Sequence, residues 1–123
     1  MTTLLLSSSI FAYAASSKVY AKWYTGNAGS VDGKANGVYH SLSAGSAYLS
    51  GEVNDATSRY PVVAVLKLDR TGFDKTIGTV YIEDSGYGRH KFASNIDSSN
   101  KYYLQIGAGE HDCMHVFEGE LHN

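Results

Sequence analysis

The residues with the densest chemical potential lie close to the C-terminus, in the stretch GEHDCMHVFEGELHN. His111, Asp112, Cys113 and His115 fall within five positions, and His122 follows seven residues after His115. If Glu110 to Leu121 were one continuous strand, His111, Cys113 and His115 would project from a single face, since side chains alternate along a strand. Two imidazoles and a thiolate on one face could approach a zinc or copper ion. Asp112 in a shifted strand, or His40 or His90 from elsewhere, could complete the set. However, H-x-C-x-H is not an established zinc spacing, and GAGEHDC carries the composition of a turn. The plainer reading is a polar hairpin loop with a half-buried cysteine followed by the last strand, and no cofactor is assigned. The four acids from Glu110 onward, with no Lys or Arg among them, read as a solvated edge strand that discourages sheet-to-sheet pairing.

Other chemistry is sparse. The sequence holds no nucleophile elbow, phosphate-binding loop or HExxH motif, and an enzyme is not expected. Glu52, Glu83 and Asp84 could pair as a general acid and base, but surface charges are the commoner use of such residues. Asp69, Asp74, Glu83 and Asp84 sit in the turns LDRTGFD and IEDSGYG, where a hard cation such as calcium would find its oxygen ligands. Acidic residues also favour turns for purely local reasons.

The aromatic residues are more suggestive. Among 123 residues there are ten tyrosines and one tryptophan, Trp23. Tyr87 stands between Gly86 and Gly88, where its immediate neighbours offer no packing and the backbone can turn sharply. Tyr60 lies in another loop, ATSRYP. Rings with an apolar face and a polar tip suit stacking on sugars or contact with proteins. Tyr87, Tyr60, Tyr48 and Trp23 are therefore the candidate ligand-binding residues.

These residues have to be carried by strands. After Lys18 the polarity alternates with period two almost throughout: Val19, Ala21 and Trp23 oppose Tyr20, Lys22 and Tyr24. The segments KVYAKWYT, GVYHSL, SAYLSGEV, PVVAVLKLD, TIGTVYIED, RHKFASNI, YYLQIG and MHVFEGEL give about eight strands separated by turn signals, the pattern of an antiparallel sandwich or jelly roll. PVVAVLKLD, the most apolar, is the candidate central strand, and GNAGSVDGKANG reads as an irregular loop. In GVYHSL, Val38, His40 and Leu42 share a face. Leu49, Val62, Ala64, Leu66, Leu68, Phe92, Leu104, Ile106 and Phe117 form the expected core. One domain over residues 16–123 is large enough to bury such a core without disulfides or metals.

Composition narrows the surroundings. Ten basic and twelve acidic residues, a net charge of −2, lack the basic stripe of a nucleic-acid binder, and no apolar run reaches the length of a membrane span. LLLSSSIFAYAA, ending in Ala12-Tyr13-Ala14, resembles the apolar core and A-x-A site of an export signal over residues 1–15, without the usual basic start. Cleavage after Ala14 or Ala15 and a secreted protein are expected. The lone Cys113 has no internal partner, so oxidation would give a homodimer.

The order SLSAGSAYLSGEV, an apolar strand, GRHKFASNID and KYYLQIGAG resembles that of small bacterial extracellular jelly-roll modules. Carbohydrate-binding modules and the C-terminal domains of secreted peptidases share this rhythm over about residues 38–121. The resemblance implies a secreted, non-catalytic module that binds a glycan or a cell-surface protein. The other classes open to such a chain are a self-assembling structural subunit and a bacteriocin-like factor.

Overall fold

The computed structural model describes residues 15–25 and 29–123; the expected export signal over residues 1–15 therefore lies almost wholly outside the described residues. Among the described residues, nine strands form two antiparallel sheets. In chain order they are β1 (Ser16–Tyr24), β2 (Ser30–Val31), β3 (His40–Leu42), β4 (Gly45–Val53), β5 (Val62–Leu68), β6 (Lys75–Ile82), β7 (Gly88–Ile96), β8 (Ser99–Ala108) and β9 (Met114–His122). The four-stranded sheet runs β1-β9-β4-β7. The five-stranded sheet runs β2-β8-β5-β6, with β3 also paired to β8. The fold is an all-β sandwich.

The alternation in the sequence is the alternation of burial. In β1, Val19, Ala21 and Trp23 are buried while Tyr20, Lys22 and Tyr24 face solvent. Eight of the nine expected core residues are buried in a single cluster drawn from both sheets, and Leu68, at the end of β5, packs partly buried against it. β5 is central, between β8 and β6. Pro61 just precedes it, where the missing N–H costs no ladder bond.

Three readings need correction. GNAGSVDGKANG is not irregular throughout, because Ser30 and Val31 pair with Ile106 and Gln105 and Gly33 bridges Val38. Val38 is 42% exposed, so the inward face of this region begins at His40. The last strand is not an edge. β9 lies between β1 and β4, in register with both from Phe117 to His122.

Candidate functional site

The sequence around His111 does not build one face. The chain leaves β8 through Ala108 and Gly109 and re-enters at Met114, with positive φ at Ala108 (64°), Gly109 (103°) and Asp112 (57°). Left-handed residues break the two-residue alternation on which the metal reading depended. Gly109 is needed there, since a Cβ on it would lie 2.7 Å from the His115 ring. The three side chains go to different places. His111 is exposed and meets Tyr60 edge-on, with ring centroids 5.0 Å apart. His115 is fully buried, stacks on Trp23 at 5.3 Å and engages the Glu110 carbonyl through Nε2 at 3.0 Å. Cys113 is half-buried, and desolvation first, then hydrogen bonding to Asp55, pushes its thiol pKa up. No group of three potential metal ligands converges among the described residues.

Trp23 is also corrected. It is 4% exposed, its indole N–H donates to the Ala108 carbonyl at 2.8 Å, and His115 covers one side of its ring. A ring so enclosed has no surface left for a ligand. Tyr48 does face outward from the four-stranded sheet, but it is flanked. His122 of β9 stacks on it at 5.5 Å, and the Arg89 guanidinium of β7 lies 4.5 Å from its centroid. Ser50 and His122 Nε2 are joined at 2.7 Å just beneath. Tyr60 is half-buried between His111 and Arg59.

Tyr87 behaves differently. It is 73% exposed, and it shares a groove of about 400 Å³ with Tyr20, which is 64% exposed. Lys18, Glu118, Gly119 and Glu120 complete the lining. The local turn is set by Asp84, whose carboxylate accepts the Gly86 N–H at 2.7 Å, an Asx turn that carries the chain into β7. Beneath the groove the sheet has no side chain to spare. A Cβ on Gly51 would overlap the Glu118 carbonyl and lie 2.7 Å from both Gly119 Cα and the Phe117 ring.

The groove continues past Glu118. A second hollow of about 390 Å³ is bounded by Glu52, Asn54, Ser85, Val116 and Glu118. Tyr20 pairs with Glu118, and Glu118 pairs with Glu52, so one row across the sheet reads tyrosine, glutamate, glutamate. Both glutamates are exposed, and like charges directly opposed in a ladder destabilise it. Packing does not require that pair. The row offers carboxylate acceptors on a floor walled by two free aromatic rings. Tyr20 is the residue that reasoning from the sequence missed, although its alternation against Val19 and Ala21 already placed it outside.

One further constellation was invisible in the sequence. Ser17 Oγ lies 2.7 Å from His40 Nδ1, and His40 Nε2 lies 3.3 Å from Asp32 Oδ2. The order is that of a serine hydrolase relay, with the ring nitrogens exchanged. His40 is only 5% exposed, and none of the grooves described here is lined by Ser17. The chain of bonds instead ties β1 of one sheet to β3 of the other at the open side of the sandwich.

No family model, curated protein or solved structure matches the chain.

Proposed function

We propose that this protein is a secreted, non-catalytic binding module that recognises a glycan in the groove between Tyr20 and Tyr87. One observation carries the reading: two tyrosines from distant parts of the chain, both largely exposed, wall a single groove above Glu118 and Glu120. A sugar ring presents apolar C–H faces that stack on aromatic rings, and hydroxyls that donate to carboxylates. The geometry offers both partners within one hollow. Tyr48, flanked on both sides, contributes its edge and the Arg89–His122 frame around it rather than a free stacking face.

The test is a glycan array or affinity electrophoresis against soluble polysaccharides, with the intact chain beside Tyr20→Ala and Tyr87→Ala. Each substitution is expected to weaken binding by about 1–2 kcal/mol, a roughly five- to thirtyfold loss. Full binding by the double variant would remove this groove from consideration.

A second reading, a self-assembling subunit, draws on the opposite face. The outer side of the five-stranded sheet carries a shallow hollow of about 320 Å³ lined by Val31, Val63, Val65 and Gly107, with Tyr81 59% exposed in the row of Val63. Light scattering across a concentration series separates the two readings, because self-assembly through this face would raise the mass with concentration and Val63→Lys would abolish the rise.

A further inference from the structure

The β5–β6 hairpin lies at the opposite end of the strands from the Tyr87 loop, and its turn spans residues 69–74. At its tip Phe73 is 66% exposed, although it is a wholly apolar ring with no polar atom to justify contact with water. The Arg70 guanidinium lies 5.2 Å from its centroid. Beside the tip is a groove of about 520 Å³ lined by Lys34, Asp69, Arg70, Thr71, Gly72 and Lys101. Three cations therefore face one carboxylate.

The acids here are already engaged. Asp69 accepts the Tyr39 hydroxyl at 2.6 Å and meets Lys34 at 3.6 Å. Asp74, next along the turn, accepts the Tyr103 hydroxyl. Asp69 is turned inward, with a side chain 14% exposed, whereas the Lys34 side chain is 74% exposed. Lys101 packs against the Tyr39 ring at 4.8 Å and remains exposed. Gly72, with φ of 95° and open space around its Cβ position, makes the reversal that holds Phe73 out.

We infer that this hairpin docks on an anionic membrane surface, with Phe73 entering the interfacial region and Lys34, Arg70 and Lys101 meeting lipid phosphates. The cations explain attraction to any polyanion. The exposed phenyl ring favours a bilayer over a soluble polyanion, because an interfacial layer takes the ring out of water and a polyanion in solution does not. The charge of anionic lipids then adds to the burial of the ring. This docking is independent of the Tyr20–Tyr87 groove, so either can fail without the other.

The experiment is co-sedimentation of the intact protein with vesicles of phosphatidylcholine alone or phosphatidylcholine with phosphatidylglycerol, at low and high salt, with heparin as a soluble polyanion. Binding is expected only to the anionic vesicles, and it should weaken as salt rises. Phe73→Ser should reduce it about tenfold. Arg70→Ala with Lys101→Ala should reduce it more, near fivefold for each cation. Circular dichroism of each variant should match that of the parent, because all three side chains are exposed. Vesicle binding that survives Phe73→Ser overturns the proposal, as does binding to heparin with none to vesicles, or binding to neither.

Discussion

Two pairs of tyrosines show how one side chain serves two ends. Tyr20 and Tyr87 stand largely exposed over the four-stranded sheet. Tyr39 and Tyr103, associated with the five-stranded sheet, meet edge-on with centroids 6.4 Å apart and donate their hydroxyls to Asp69 and Asp74. Tyr103 is 5% exposed, and Gly33 packs directly on its ring. The second pair is fixed by packing and by charge-assisted hydrogen bonds, which are stronger than neutral ones. The first pair has ring surface left over. Tyrosine content alone therefore points to no binding surface; exposure of the ring does.

Breaking the fixed pair should have the largest effect. Tyr103→Ala removes a buried ring and takes from Asp74 the hydroxyl that bonds it, and chemical denaturation should show a loss of about 3 kcal/mol. Gly51→Ala, beneath the free pair, should cost about 2 kcal/mol through overpacking against Phe117 and the β9 backbone. A parent-like midpoint for either variant would show that its site relaxes freely.

The next effect is a pH dependence. Hydrogen bonding to Asp69 raises the Tyr39 pKa from 10.0 to about 12, with smaller contributions from desolvation and nearby charge. Desolvation, followed by the bond to Asp74, raises that of Tyr103 to about 12. The folded state thus holds these phenolic protons more tightly than the unfolded chain. The stability they contribute is fully present below pH 10 and is lost as pH rises toward 12. Thermal melts across that interval should fall less steeply for Tyr39→Phe with Tyr103→Phe than for the parent. In a spectrophotometric titration, Tyr39 and Tyr103 should ionise late, and Tyr102, pushed up by burial, should also lag.

The smallest effect belongs to the free pair. Tyr87→Ala should change stability by no more than about 0.5 kcal/mol. A clear loss would mean that the ring is anchored and would dissolve the contrast. Cys113 offers a related test of exposure against reactivity. Its thiol pKa is raised by desolvation and by the carboxylates of Asp55, Glu110 and Asp112, so little thiolate exists at neutral pH. Non-reducing gels should show the Cys113-linked dimer accumulating slowly near pH 7 and faster as pH rises.

Much of the scaffold could be read from the sequence because period-two alternation is imposed residue by residue. It placed Val19, Ala21 and Trp23 together, and taking Trp23 as a ligand contact ignored that placement. Partnership between strands is a different kind of information. Nothing in MHVFEGELH states that its neighbours are β1 and β4, and nothing in Ser30-Val31 announces two residues of pairing inside a glycine-rich run. The Tyr39–Asp69 and Tyr103–Asp74 bonds join residues 30 and 29 positions apart, with no local signature. The groove was half legible. Glycine on both sides marked Tyr87 as projecting, but only the fold could bring Tyr20 opposite it.

The central position of β9 has a consequence for how the chain acquires its structure. Ser16 pairs with His122, and β4 joins the sheet through β9 as well. Until residues 114–122 are available, β1 has no ladder partner and the inner edge of β4 is bare. Early segments emerging during synthesis therefore cannot complete the four-stranded layer and must wait for the last strand to be inserted between them. Closing contacts across about a hundred residues is slow, on the scale of milliseconds to seconds for β topologies of this kind. The five-stranded layer carries no such dependence, because β5, β6 and β8 pair among themselves without β9, so the two faces of the sandwich mature in sequence rather than together.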